Sequence, residues 1–183
     1  MIVMSELKLR LIGAGGHGIL TLGRVIGSAA IKYDKECVMT IAYSPAQRGG
    51  WSRADVIISD DPIDYPIFVK PDILVTTTQE TYDLEKGNVP KGKSIIYEST
   101  LVKPVEVPGV KQVGIPAISK AHELGSSVVA NIIILGFMNK IFHIMPDEIF
   151  LDVIRSSIKK KYLDLNLKAY DLGSRLAEEA LKS

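Results

Sequence analysis

Leu7-Lys8-Leu9-Arg10-Leu11-Ile12, then Gly13-Ala14-Gly15-Gly16-His17-Gly18, then Ile19 to Lys32: this stretch decides the fold. Leu7, Leu9 and Leu11 alternate with Lys8 and Arg10, the period of a strand with one apolar face. After the glycines, Ile19, Leu22, Ile26, Ala29 and Ala30 recur at helical spacing and form one apolar stripe. Strand, glycine turn and helix in that order open an α/β unit. Gly13, Gly15 and Gly18 satisfy G-x-G-x-x-G, with Gly16 as a fourth glycine. Such a turn lets the backbone approach an anion, and the N–H groups opening the next helix face it.

Outward from that unit the alternation continues. Cys37 to Tyr43 and Ser52 to Ser59 read as strands, joined by a loop too short for a parallel crossover, so they should pair antiparallel or lie apart in the sheet. Asp72 to Thr76 and Ser94 to Tyr97 read as short buried strands, with a helical turn over Glu80 to Glu85 between them. Val105 to Val107 and Val110 to Val113 suggest short extended segments. The last third is helical. Ser119 to Leu124 is one helix. A second, capped by Ser126 or Ser127, runs to about Phe142 and is apolar nearly all round, which marks a buried core helix. Two more follow, from Pro146–Asp147 to about Lys160 and from about Leu163 to Leu181. The expected architecture is a single α/β domain over residues 1–183, a mostly parallel Rossmann-like sheet with helices on both faces and a helical C-terminal third.

Composition narrows the function. The chain has 183 residues, 46% apolar and 23% charged, with 22 basic and 21 acidic side chains and a net charge of +1. Nothing in that balance calls for nucleic acid or an acidic membrane. The single cysteine, Cys37, excludes an intrachain disulfide, a structural zinc site and an all-cysteine iron–sulfur cluster held by this chain alone. The longest apolar run, Ile132 to Met138, is too short to span a bilayer, and no targeting pattern opens the sequence, so the default location is cytoplasmic.

If the strands are parallel, the loops leaving their carboxyl ends share one edge, where α/β sheets bind ligands. That edge would carry the glycine loop, the Ser44–Ser52 loop, Thr76-Thr77-Thr78-Gln79-Glu80 and Glu98-Ser99-Thr100. Arg48 beside Gly49 and Gly50 is a cation on a flexible backbone, suited to a carboxylate or phosphate, or to holding its own loop by bonding carbonyls. A dinucleotide site usually needs an acid at the end of the second strand, and Thr40-Ile41-Ala42-Tyr43 has none. The glycine loop is then left with packing, a partner contact or another phosphate-bearing ligand. His17, His122 and His143 have no ligand spacing, and no nucleophile elbow or Walker lysine is present. A ligand edge without a catalytic set is the outcome.

These residues resemble a known family, the gamma subunits of 2-oxoacid:ferredoxin oxidoreductases. Gly13 to Gly18 is similar to that family's G-x-G-G-Q-G start, with His17 in place of the glutamine. Arg48-Gly49-Gly50-Trp51-Ser52 with Ala54 to Ser59 resembles its R-G-G-x-S-x-A-x-V-x-I-S stretch. Pro71-Asp72-Ile73-Leu74, Asn131 with Leu135-Gly136, and Asn166 to Gly173 follow in the family's order. The Ala46-Gln47-Arg48-Gly49-Gly50 run also resembles the related subunit of indolepyruvate oxidoreductase.

The resemblance implies a non-catalytic subunit of a complex that oxidatively decarboxylates a 2-oxoacid, 2-oxoglutarate favoured, to an acyl-CoA and CO2 while reducing ferredoxin. It implies alpha, beta and ferredoxin-like delta partner subunits, which hold thiamine diphosphate, Mg and the iron–sulfur clusters. This chain's one cysteine and its lack of a G-D-G…N motif agree with that division. Coenzyme A would meet this chain at Gly13, Gly15, Gly16, His17, Gly18, Arg48, Gly49, Gly50 and Ser52. The alternatives are an indolepyruvate oxidoreductase subunit, or a non-catalytic structural or nucleotide-binding subunit.

Overall fold

The apolar rows of the strands and the stripe on the first helix meet as the alternation requires. A computed structural model describes residues 6–45 and 50–182. The elements are β1 (Glu6–Ala14), α1 (Ile19–Lys32), β2 (Glu36–Tyr43), β3 (Trp51–Ser59), β4 (Ile73–Thr76), α2 (Gln79–Glu85), β5 (Ser94–Glu98), β6 (Lys111–Ile115), α3 (Ala117–Glu123), α4 (Ala130–Phe142), α5 (Asp147–Ser157) and α6 (Lys160–Lys182). The sheet order is β2-β3-β1-β4-β5-β6. β1, β4, β5 and β6 are mutually parallel. β3 is antiparallel to both β1 and β2, so β2 also runs with β1 and only β3 is reversed.

That single reversal matters for the site. β3 occupies the place beside β1 that a dinucleotide fold gives to its second strand. The end of β2 therefore lies two strand spacings from β1, about 10 Å. The missing acid and the topology both argue against a nicotinamide site.

Both faces carry helices, but unequally. Leu9, Leu11, Ala54, Val56, Val75 and Ile96 face the main core under α1 and α3 to α6. α4 is its centre, with every residue from Ala130 to Asn139 buried. α4 and α6 cross at near backbone contact: a Cβ on Gly136 would lie 2.1 Å from the Tyr170 carbonyl oxygen, and one on Gly173 2.0 Å from that of Ile133. Among the described residues α2 is the one α-helix on the other face, and Ile12, Leu74, Tyr82, Val89, Ile95 and Val102 form a smaller core there.

Beside that smaller core the sheet buries charge. Arg10 is 4% exposed and spends all its donors. Nε and Nη2 bond Asp55 at 2.9 and 2.8 Å, Nη1 bonds Glu85 at 2.8 Å, and the Phe68 and Val69 carbonyls take the rest at 3.0 and 3.3 Å. Burial opposes the Arg10 cation, but the bonds and charges of Asp55 and Glu85 outweigh it and its pKa is raised.

Two local expectations change. Val105 to Val107 forms no strand, and β6 begins only at Lys111, where it can pair with β5. Neither Ser126 nor Ser127 caps α4, because a 3₁₀ turn over Ser127–Val129 intervenes and the helix opens at Ala130 without a side-chain cap.

Candidate functional site

The carboxyl ends of β1, β2, β4 and β5 share one edge, as the strand directions dictate. Gly13 lies opposite Ser52, and Ser52 opposite Tyr43. The Gly15 N–H donates to the Gly50 carbonyl at 3.0 Å, and the Thr77 N–H to that of Ile12 at 3.3 Å. Two loops, the β2–β3 connection and the segment after β4, thus converge on the glycine turn. The Ser44 N–H donates to the Trp51 carbonyl at 2.9 Å and closes the β2–β3 connection. Trp51 lies beside Arg53, whose guanidinium is 6.0 Å from the ring centroid and 3.2 Å from Glu85. Arg48 and Gly49 lie outside the described residues.

The four glycines divide into two kinds. Gly13 is buried, and a Cβ there would lie 2.0 Å from Thr77 Oγ1. Gly18 has φ 73°, and a Cβ there would lie 2.7 Å from Asn131 Nδ2. These two are glycines because neighbouring side chains fill their space. Gly15 and Gly16 are exposed. Gly16, at φ 91°, sits in a turn closed by the His17 N–H on the Ala14 carbonyl at 3.1 Å, and nothing lies within 4 Å of its Cβ position. Only this pair presents backbone outward.

α1 opens on Gly18 with no side-chain cap and no acid in its first turn. Its first N–H groups and the positive end of its dipole are thus left without a neutralising side chain. His17 stands next to them, its Nδ1 fixed to Thr77 Oγ1 at 2.8 Å. Thr77 is 1% exposed, so it positions the imidazole from within. Backbone donors, an imidazole and the absence of local acid suit an anion.

Not all of the polar edge is free for a ligand. Glu98, 1% exposed, accepts from the Thr100 N–H and hydroxyl at 3.0 and 2.7 Å and from the Ile118 N–H at 2.9 Å, tying β5 to the start of α3. Thr78 and Thr81 form the capping box of α2. The loop after β5 is therefore structural, and the candidate part of the edge narrows to the glycine turn, His17, Gly50 and Ser52. Thr77 and Asn131 are the members that site reading from sequence missed. The first was legible only as a residue on the right edge, the second only as a residue of the stretch Asn131 with Leu135-Gly136 that resembles the family.

The remaining candidates serve packing or solvent. Cys37 is half-buried against the main core, and burial pushes its thiol pKa up, away from the reactive thiolate. His122 is exposed on α3, and His143 ends α4 in a left-handed conformation. Among the described residues no three His, Cys, Asp or Glu side chains gather as a metal site needs, and no helix is long and apolar enough to cross a membrane. A cleft of about 930 Å³ lies at the opposite edge, lined by Leu7, Tyr33 and His143, but its Lys35–Asp60 and Lys93–Asp72 pairs neutralise each other.

Comparison with known proteins places the chain. The sequence profile of the family described as pyruvate ferredoxin/flavodoxin oxidoreductase matches residues 8–176. The 2-oxoglutarate synthase subunit KorC of Methanocaldococcus jannaschii is 38% identical over 181 residues, covering 97% of each chain. The crystal structure of a keto/oxoacid ferredoxin oxidoreductase gamma subunit from Geobacter sulfurreducens superposes with a TM-score of 0.85 at 30% identity, over 97% of this chain and 99% of that one. A 2-oxoglutarate:ferredoxin oxidoreductase from Magnetococcus marinus, solved with 2-oxoglutarate, coenzyme A and succinyl-CoA bound, superposes at 0.88 and 25% identity. It covers 96% of this chain and 32% of that longer one.

Proposed function

Because this chain belongs to the pyruvate ferredoxin/flavodoxin oxidoreductase family, we propose that it is the gamma subunit of a cytoplasmic 2-oxoacid:ferredoxin oxidoreductase and carries the coenzyme A end of the reaction. The 2-oxoacid favoured is 2-oxoglutarate, on the name of the relative 38% identical to this chain. Alpha, beta and ferredoxin-like delta chains would complete the complex and hold thiamine diphosphate, Mg and the iron–sulfur clusters. The donor set here supports that division, since one cysteine cannot ligate a cluster.

The observation that carries the coenzyme A reading is the uncapped start of α1 beneath the exposed Gly15–Gly16 turn. Coenzyme A bears a pyrophosphate and a 3′-phosphate, and when bound it accepts the acyl group as a thioester. The N–H groups of Gly16 and of the first turn of α1 would hold a phosphate, with His17 adding a side-chain donor. Chemistry stays with the partner subunits, and this chain orients the acceptor.

The test uses the co-produced complex. Gly16→Asp places a carboxylate in the open space of the turn, and Gly16→Asn imposes the same left-handed strain without charge. G16D is expected to raise the apparent KM for coenzyme A about tenfold, roughly 1.4 kcal/mol, with assembly intact and G16N close to wild type. An unmoved KM in G16D sinks the coenzyme A reading. If no complex forms and omission of the chain leaves acyl-CoA formation unchanged, the subunit reading fails as well.

A further inference from the structure

Asn131 is out of keeping with its surroundings. It is the second residue of α4 and 4% exposed, and Ile132, Ile133, Ile134 and Leu135 follow it in the core. Its Nδ2 donates to the Gly18 carbonyl at 3.3 Å. Its Oδ1 is buried and has no hydrogen-bond partner among the described residues. A buried amide that satisfies one half and strands the other is a poor bargain for the fold, since an apolar side chain of similar shape would avoid the stranded acceptor. The amide also crowds Gly18, where any Cβ would sit 2.7 Å from Nδ2. The Gly18 carbonyl takes two donors, Asn131 and the Leu22 N–H at 2.9 Å, the second being the first bond of α1.

We propose that Asn131 is a positioning residue of the glycine-loop site: through Gly18 it fixes the first turn of α1 and so aims the N–H groups at the anion. The inference rests on the coenzyme A reading above and adds what holds that site in place. Thr77 anchors the loop's start, filling the space beside Gly13 and holding His17, and Asn131 anchors its end. The second anchor stands on α4, clamped to α6 by the Gly136 and Gly173 contacts. A loop held at both ends by buried side chains is preorganised and loses little freedom on binding.

The experiment compares Asn131→Leu with wild type in the co-produced complex. Melting temperature unchanged or raised, assembly intact, KM for coenzyme A up about tenfold, and kcat and the KM for the 2-oxoacid unmoved is the expected pattern. Amide hydrogen exchange should quicken over residues 18–22 and nowhere else in α1. Should N131L fail to fold, Asn131→Ser leaves a void rather than a clash and carries the same readouts. If N131L or N131S leaves the KM for coenzyme A and the exchange at 18–22 unchanged while G16D raises that KM, Asn131 is no more than packing and the inference falls. If G16D also leaves the KM unmoved, the coenzyme A reading itself has failed.

Discussion

On one face of the sheet Leu9, Leu11, Val56 and Val75 meet five helices; on the other, the same strands turn Arg10, Arg53 and Asp55 toward one short helix and the chain around Phe68. The first face gains its stability from area, about 1.5–3 kcal/mol for each large aliphatic side chain buried. The second adds to its smaller apolar core a set of ions that had to be taken out of water, and their mutual attraction roughly offsets that cost. The lesson lies in how each face fails. An apolar face loses stability by increments as methyl groups are removed. An ionic face is close to neutral when whole and strongly destabilised when one member is taken away.

The largest expected effect breaks the ionic face. Arg10→Ala leaves Asp55 and Glu85 buried with only the partly exposed Arg53 as cation, at 3.7 and 3.2 Å, and should cost about 3–5 kcal/mol in chemical denaturation. Replacing all three together, Arg10→Met with Asp55→Leu and Glu85→Leu, sharpens the contrast. That variant should recover most of the loss, because the one charge that loses its partners, Arg53, is 28% exposed and can turn to water. A triple variant as unstable as R10A would mean that the network is a net source of stability, and the two faces would then differ less than proposed here. Next in size is Gly136→Ala on the apolar face. Its new methyl would meet the Tyr170 carbonyl, so α4 and α6 must separate, at about 1–3 kcal/mol.

The two faces also differ in how far they could be read from the sequence. The apolar face was legible because its signals are local. The 3.6-residue period gave α1 with both its ends, Ile19 and Lys32, and the short β2–β3 loop excluded a parallel crossover and left the antiparallel pair as one of two arrangements. The ionic face was not. Alternation makes Arg10 a polar residue on the side of β1 away from the leucines, and its partners stand 45 and 75 residues further on. The site divides in the same way. The glycine turn and the shared edge followed from spacing and strand direction. Thr77 and Asn131 did not, since what gives each its role is a contact 60 or 113 residues away. The supposed serine cap of α4 failed for a related reason: tertiary packing buries Val129 and the helix starts two or three residues late, at Ala130.

The smallest expected effect tests whether the apolar face owes anything to charge. Lys140 on α4 and Glu178 on α6 pair at 2.7 Å across the helix crossing, with both side chains reaching solvent. The hydrogen bond to Lys140 lowers the Glu178 pKa from its ordinary 4.5, and the same bond raises that of Lys140 from 10.5. A lowered carboxylate contributes stability that is complete above its unfolded value and disappears as pH falls through the folded one. A raised ammonium contributes stability that is complete below its unfolded value and disappears as pH rises through the folded one. The pair therefore acts fully only between about 4.5 and 10.5. Glu178→Gln should lower the melting temperature by about a degree within that window, less at high salt. The difference from wild type should close at both acid and alkaline ends. A deficit that persists once pH has fallen through the folded pKa of Glu178 would be a packing effect of the substitution, and the helical face would then rest on burial alone.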